Sequence, residues 1–176
     1  MDDITELASN TKVLILDVDG VCTDGTLYFN DSGETIKAFN SQDGIGIKLI
    51  QNAGVIVAII TARKSKAIEK RFSKFKVKHI YEGFENKSLA YEELKKNLNV
   101  SDDEVAYVGD DLPDLPVMLK AKLGIAVENA HPYIKERANW ITTKSGGKGA
   151  VREVCDIILK AKNCYDKTIQ EYFEAL

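Results

Sequence analysis

The sequence lacks any apolar stretch that could cross a membrane. Its longest apolar run, Val55 to Ile60, has six residues, where a spanning helix needs about 20. The first ten residues are polar and acidic, without the basic end and apolar stretch of a signal peptide. Basic residues are not in excess, since 24 Lys and Arg stand against 27 Asp and Glu. We therefore expect neither a membrane nor a nucleic acid as partner, whereas a small anionic substrate needs only a local cationic pocket.

Cysteine is scarce, and its pattern indicates a compartment. The three cysteines are odd in number and lack the spacing of metal ligands; they are Cys22, Cys155 and Cys164. We expect free thiols in a reducing cytoplasm. The composition, 44% hydrophobic and 29% charged over 176 residues, is typical of one folded domain. We place that domain at residues 1–163 and expect the polar tail, 164–176, to be mobile.

Short runs of β-branched residues alternate with helical patterns along the chain. The runs are apolar throughout, which is typical of strands buried on both faces of a parallel sheet. The predicted strands are 13–16, 55–60, 79–81, 105–108, 124–127 and 140–141. The predicted helices are 43–53, 65–75, 87–98, 113–121 and 149–162. This order predicts a three-layer α/β/α sandwich around a Rossmann-like parallel sheet.

One segment interrupts the alternation directly after the first predicted strand. Residues 26–29 and 35–39 are rich in β-branched and aromatic side chains, and they flank the polar turn 30–33. This pattern predicts a β-hairpin. Because the first strand leads into it, the hairpin should project over the carboxyl end of that strand as a flap.

Polar residues follow the predicted strands where ligands bind in open parallel sheets, outside the carboxyl ends. The first strand ends in Asp17-Val18-Asp19-Gly20, and the second ends in Thr61. The fourth ends in Gly109-Asp110-Asp111, and Lys87 opens the helix after the third. Each alone is a common turn, cap or surface residue. Together, their carboxylates need a compensating cation such as Mg²⁺, and the hydroxyl and ammonium groups suit phosphate oxygens.

In their order and strand-end context, these residues resemble the four motifs of the haloacid dehalogenase-like phosphatases, over nearly the whole chain. The resemblance implies that Asp17 attacks phosphorus and forms an aspartyl-phosphate. It implies that Asp19 protonates the leaving oxygen and then deprotonates the hydrolytic water. Mg²⁺ would be held by Asp17, the backbone carbonyl of Asp19, and Asp110. Thr61 and Lys87 would bind the transferring phosphoryl oxygens.

Longer matches, at 17–25, 39–46, 61–63, 109–114 and 146–153, resemble a narrower group in that family. Its members hydrolyse the phosphate of an eight-carbon 2-keto-3-deoxy sugar acid in lipopolysaccharide synthesis. A substrate with a carboxylate and several hydroxyls implies polar and cationic recognition residues. The candidates are Asp19, Asn40, Ser41, Gln42, Asp43, Gly44, Lys48, Arg63, Arg71, Lys87 and Asp111. We expect Asp114 to anchor its loop, and the glycine-rich 145–149 to form a turn into the last predicted helix.

Larger relatives insert a cap domain between these motifs, and this chain has no room for one. Asp19 and Thr61 are 42 positions apart, and Lys87 and Asp110 are 23 apart. The resemblance implies that a homotetramer covers the open site instead, with hairpins from neighbouring copies. The apolar hairpin residues that would form this contact are Leu27, Tyr28, Phe29, Ile36 and Phe39.

Three alternatives stay open. The first is a phosphatase for a nine-carbon keto acid phosphate of the sialic-acid type; such proteins tend to carry Glu where this chain has Arg63, which favours the eight-carbon substrate. The second is a phospho-accepting receiver domain, although there the acidic pair and the acceptor lie on different strands. The third is a non-catalytic interaction module, against which the filled catalytic positions argue.

Overall fold

The computed structural model describes residues 2–33 and 35–175. Its strands are β1 (Val13–Leu16), β2 (Tyr28–Phe29), β3 (Thr35–Ile36), β4 (Ile56–Thr61), β5 (His79–Glu82), β6 (Val105–Gly109), β7 (Leu123–Ala126) and β8 (Trp140–Ile141). Its helices are α1 (Asp2–Ser9), α2 (Ser41–Asn52), α3 (Lys66–Ser73), α4 (Lys87–Leu98), α5 (Leu115–Met118), α6 (Pro132–Lys135), α7 (Ala150–Ala161) and α8 (Tyr165–Glu174). A π-helical turn (Val18–Cys22) follows β1, and 3₁₀ turns precede β6 and α5.

Six parallel strands form the central sheet in the order β5-β4-β1-β6-β7-β8. The first strand lies inside it, with Val13 opposite Ile56 on one side and Val105 on the other. Every residue of β1 and β6 is buried, which explains their apolar sequences. Helices α1, α2, α7 and α8 pack together in one layer, and α4 and α5 contact each other and the sheet. The predicted three-layer parallel fold is confirmed.

The hairpin is shorter than predicted but forms where expected. Strands β2 and β3 pair antiparallel, with Tyr28 opposite Ile36. Phe29 and Ile36 are 60% and 59% exposed. Phe39, however, packs edge-on against Phe72 with ring centroids 5.9 Å apart, so it is part of the core rather than of the exposed apolar surface. No cap domain interrupts the described ranges.

The tail expected to be mobile is instead helix α8, which packs against α2 and α7. Tyr165, Ile169 and Tyr172 pack against the core, and Thr168 is buried. These positions recur at the spacing of one helical face, which indicates a packed helix. The sequence-based expectation of a mobile tail relied on the polar composition of the segment instead. None of the described helices is long and apolar enough to cross a membrane.

Candidate active site

The first acidic residue of the site is fixed by the sheet itself. The backbone N–H of Asp17 donates to the carbonyl of Val108 at 3.1 Å, so the residue continues β1 at the carboxyl edge. The chain then turns sharply at Gly20, whose φ is +97°. The hydroxyl of Thr23 accepts hydrogen bonds from the N–H groups of Gly20 and Gly25, both at 3.3 Å. The turn therefore holds the Asp17 carboxylate in place, 5% exposed.

Two glycines from the other end of the chain pack against this turn. A Cβ added at Gly146 would lie 1.7 Å from the carbonyl oxygen of Gly20. The N–H of Gly147 donates to the carbonyl of Val21 at 2.9 Å. The glycine-rich segment before α7 thus packs against the turn that follows β1, and its lack of side chains allows the close approach.

Lys87 is the centre of the buried charge network. The side chain of Asn86 accepts a hydrogen bond from Ser88 N at 3.2 Å, so α4 begins at Lys87. The Lys87 ammonium lies 2.7 Å from Asp17 Oδ1 and 2.6 Å from Asp114 Oδ1, and the residue is 4% exposed. The charges of Asp17 and Asp114 raise the pKa of Lys87 against the opposing effect of burial. Lys87 therefore stays cationic in the cleft.

Asp114 anchors the second acidic loop, as expected. Its Oδ1 also accepts from the hydroxyl of Tyr107 at 2.6 Å. Its Oδ2 accepts from the N–H groups of Asp110 and Asp111 at 2.9 and 3.2 Å. Both oxygens of Asp114 thus accept hydrogen bonds. These bonds hold the backbone of the loop that carries Asp110 and Asp111.

The acidic cluster fits a hard divalent cation. Carboxylate oxygens of Asp17, Asp110 and Asp114 lie within 4.8 Å of one another. Burial, then repulsion from Asp114, raises the pKa of Asp17 to about 7 and that of Asp110 to about 8. Because Asp114 is fully hydrogen-bonded, Asp17 and Asp110 are the side chains left to ligate. Mg²⁺ binds clusters of carboxylate oxygens of this kind, because its charge offsets the repulsion between them.

One cleft of about 290 Å³ unites most of the predicted residues. Asp17, Asp110 and Lys87 form its floor with Thr61, which is 1% exposed at the end of β4. The predicted residues that line it are Asp17, Asp19, Thr61, Arg63, Lys87, Asp110 and Asp111. The strand-end pattern thus brought together the residues assigned to acid–base, metal and phosphate chemistry.

The segment at the start of α2 lies elsewhere. Asn40 caps the helix by accepting from Gln42 N at 2.8 Å, and its amide donates to Gly147 O at 3.4 Å. Asp43 accepts from Arg152 N at 2.9 Å; burial raises its pKa to about 6. This segment joins α2 to α7 instead of facing the cleft. Predicted substrate-binding residues that do not line the cleft within one subunit are Asn40, Ser41, Gln42, Asp43 and Gly44.

Two predicted cationic contacts are also absent from the cleft. The guanidinium of Arg71 donates to Asn40 O at 2.7 Å and lies 4.6 Å from the Phe75 ring centroid and 5.5 Å from that of Phe39. Lys48 lines a separate cavity beside α8. Neither residue lines the cleft within one subunit, so their roles in substrate binding stay predictions.

Sequence reasoning missed two residues that contact the site. Tyr107 was counted as part of an apolar strand, yet its hydroxyl donates to Asp114. Lys37 of the hairpin pairs with Asp19, and its side chain is 3% exposed. The alternation of Thr35, Lys37 and Phe39 places Lys37 on the inward face, which is the signal that could have found it.

Comparisons with known proteins agree with this geometry. The family model for haloacid dehalogenase-like hydrolases matches residues 71–154. The curated 3-deoxy-D-manno-octulosonate 8-phosphate phosphatase of Escherichia coli K12 is 47% identical over 94% of this chain and 88% of its own length. The crystal structure of the Yersinia pestis phosphatase of the same name has a TM-score of 0.92 at 45% identity, covering 94% of this chain and 89% of that one.

A further crystal structure is the Moraxella catarrhalis phosphatase of that name, in complex with a magnesium ion, a phosphate ion and 3-deoxy-D-manno-octulosonate (KDO). Its TM-score is 0.95 at 41% identity, over 98% of this chain and 99% of that one. Fold and site therefore define a haloacid dehalogenase-like hydrolase of the phosphomonoesterase class. Within that class, the chain belongs to the 3-deoxy-D-manno-octulosonate 8-phosphate phosphatase family. The resemblance seen in the sequence is confirmed.

The acidic cluster generates a prediction about pH and metal. A carboxyl whose pKa is higher in the folded than in the unfolded state keeps the folded state more protonated. The contribution of Asp17 and Asp110 to stability therefore falls as pH rises from 3.8, their ordinary pKa, to about 7 and 8. Mg²⁺ should raise the melting temperature, and more at about pH 8 than at about pH 6.

Thermal unfolding with Mg²⁺ or with a chelator, at both pH values, checks this expectation. Asp110→Asn is the matched variant, since it removes one charge and one ligand at nearly constant shape. It should weaken both the Mg²⁺ shift and its pH dependence. An equal Mg²⁺ shift at the two pH values would contradict the assignment of these carboxylates.

Proposed function

We propose that this protein hydrolyses KDO 8-phosphate to KDO and phosphate, with Mg²⁺ and through an aspartyl-phosphate, in lipopolysaccharide biosynthesis. The observation that carries the proposal is the Lys87 network in its cleft, which orients Asp17 beside Asp110. The relatives that share 47% of the sequence are phosphatases of this name. The cleft also carries Arg63, the residue that favours the eight-carbon substrate.

The first step is transfer of the phosphoryl group to Asp17. Lys87 holds Asp17 Oδ1 at 2.7 Å and orients the carboxylate. A carboxylate oxygen bonds to phosphorus while the bond from phosphorus to the sugar oxygen breaks. Asp19 gives its proton to that oxygen, which receives the electron pair. Asp17, Asp110 and the backbone carbonyl of Asp19 would hold Mg²⁺, whose positive charge would offset the repulsion between the nucleophile and the phosphate.

The second step restores the enzyme. Asp19 takes a proton from water, whose oxygen attacks the phosphorus of the aspartyl-phosphate. The bond from phosphorus to Asp17 breaks, and phosphate leaves. Thr61 and Lys87 donate hydrogen bonds to phosphoryl oxygens in both steps. Arg63, with 52% of its side chain exposed at the rim, pairs with the substrate carboxylate, and Asp111, which lines the same cleft, contacts a sugar hydroxyl.

Assembly and compartment are part of the same proposal. The protein forms a homotetramer in which the exposed hairpin of one copy covers the open cleft of another. Tyr28, Phe29 and Ile36 are 49%, 60% and 59% exposed, an apolar surface suited to such a contact. The free cysteines, two of them buried, support work in the reducing cytoplasm.

Light scattering of the purified protein tests the assembly. We expect a mass of about four times the 19.5 kDa of one chain. Replacing Phe29 and Ile36 together by Ser should release smaller species, because the apolar contact is lost. A tetramer that persists in this variant would place the interface elsewhere.

Phosphate release is the experiment that tests the function. KDO 8-phosphate and the nine-carbon keto acid phosphate are offered side by side, with Mg²⁺ and with a chelator. We expect fast, chelator-sensitive release from the eight-carbon substrate, and a loss of at least about 10³-fold in Asp17→Asn, which lacks the nucleophile. Preference for the nine-carbon substrate would change the substrate but not the mechanism. A phosphorylated form that persists without turnover would favour a receiver.

Arg63 is expected to act on substrate affinity. In Arg63→Ala the charge pair to the carboxylate is lost, so KM should rise by about tenfold while kcat changes little. Steady-state kinetics on KDO 8-phosphate measure both constants. Arg63→Lys keeps the positive charge but lacks the planar guanidinium. Its KM should lie between those of the wild type and Arg63→Ala. An unchanged KM in Arg63→Ala would remove this residue from the binding site.

A further inference from the structure

Lys37 is a buried cation of the hairpin with one charged partner. Its side chain is 3% exposed, although the preceding residue, Ile36, is 59% exposed. Its ammonium forms an ion pair and a hydrogen bond with Oδ1 of Asp19. Within residues 2–33 and 35–175, no other hydrogen bond or ion pair of the Lys37 side chain is present. Because a buried ammonium without a partner is costly, Lys37 and Asp19 hold each other.

The two oxygens of Asp19 are left in different environments. Oδ1 is bound by Lys37, whereas Oδ2 is shielded from solvent and accepts no hydrogen bond from the described part of the chain. The nearest cation to Oδ2 is Arg63, whose Nε lies 3.6 Å away. A carboxylate bonded through one oxygen to a buried cation has little freedom to rotate about its Cβ–Cγ bond. Oδ2 is therefore the oxygen that has no hydrogen-bond partner among the described residues.

The chain that follows Lys37 is packed against the core. Two residues further on, Phe39 packs edge-on against Phe72 of α3, and the Arg71 guanidinium lies 5.5 Å from the Phe39 ring centroid. This packing fixes the returning strand against the core. The backbone that carries Lys37 is thus held in place, and the ion pair fixes the position of the Asp19 carboxylate.

We propose that Lys37 is the positioning residue for the acid–base steps, because its ammonium holds the Asp19 carboxylate through Oδ1 and leaves Oδ2 without a hydrogen bond from the described residues. The inference rests on the proposed phosphatase function. In the first step Oδ2 gives its proton to the sugar oxygen, which keeps the electron pair of the broken bond to phosphorus. In the second step Oδ2 takes a proton from the attacking water. Lys37 touches neither substrate nor the reacting atoms and exchanges no proton.

A pair of substrates separates this role from a structural one. The sugar oxygen of KDO 8-phosphate needs a proton to leave, whereas the p-nitrophenolate of p-nitrophenyl phosphate leaves without one. In Lys37→Met, kcat for KDO 8-phosphate should fall by at least about tenfold, part of the contribution of a general acid. The burst of p-nitrophenolate, which reports phosphoryl transfer to Asp17, should keep its rate. The following turnover, which needs Asp19 as a base, should slow.

Four further variants complete the design. Asp19→Asn should show the same split between substrates, and adding Lys37→Met to it should cause no further loss, because both changes remove one function. Lys37→Arg keeps the cation and should restore part of the kcat on KDO 8-phosphate. Lys78→Met removes an exposed lysine before β5, at the opposite edge of the sheet, and should leave both activities unchanged.

A burst rate of p-nitrophenolate that falls as much as kcat for KDO 8-phosphate would overturn the proposal, as would losses that multiply in the double variant. Thermal unfolding checks each variant. Should Lys37→Met fail to fold, Lys37→Arg carries the comparison, and an equal fall of the burst rate and of kcat there has the same meaning. Failure of the proposed function looks different: the wild-type protein then hydrolyses p-nitrophenyl phosphate but not KDO 8-phosphate. The Lys37 comparison is in that case made with the nine-carbon keto acid phosphate or another alkyl phosphate that wild type hydrolyses.

Discussion

One buried ammonium determines the form of the catalytic cleft. Lys87 joins Asp17 after β1 to Asp114 after β6 from the first turn of α4. Burial of such charges is costly unless the geometry is tight and the other hydrogen bonds are made. Asp114 meets that condition, because its carboxylate also accepts hydrogen bonds from the Tyr107 hydroxyl and from two backbone N–H groups. Three parts of the chain thus have their relative positions set by one side chain.

The same network explains why the cleft suits a divalent cation. Three carboxylates, those of Asp17, Asp110 and Asp114, surround one ammonium, so full ionisation leaves two negative charges. Burial, together with this excess of negative charge, raises the pKa values of Asp17 and Asp110, so protons supply the balance without a metal. A doubly charged ion replaces those protons. The hairpin adds a separate pair, Lys37 with Asp19, which keeps the acid–base carboxylate outside this competition.

The sequence was sufficient to predict the strands of the sheet and the site residues that lie at their carboxyl ends. Apolar runs marked the strands, and strand ends are neighbours in any parallel sheet, so Asp17, Thr61 and Asp110 could be brought together without coordinates. The sequence was insufficient to predict the positions of residues that depend on helix packing, such as those at the start of α2. Gly46 of α2 lies so close to Arg152 that an added Cβ would be 3.1 Å from its Cα, and that contact turns the start of α2 toward α7. The alternation of Thr35, Lys37 and Phe39 indicates that Lys37 faces inward, but its pairing with Asp19 depends on how the hairpin folds back over the site.

The contact of Gly146 with the turn at Gly20 has a consequence for biosynthesis. The two residues are 126 positions apart, and β1 lies between β4 and β6, which are also made later. A nascent chain therefore holds its reactive carboxyl on an unsupported loop until most of the polypeptide has left the ribosome. The reactive turn is completed by the segment that leads into the last two helices. Catalytic competence is in this sense a property of the finished chain, and a prematurely terminated one would carry the motifs without the means to hold them.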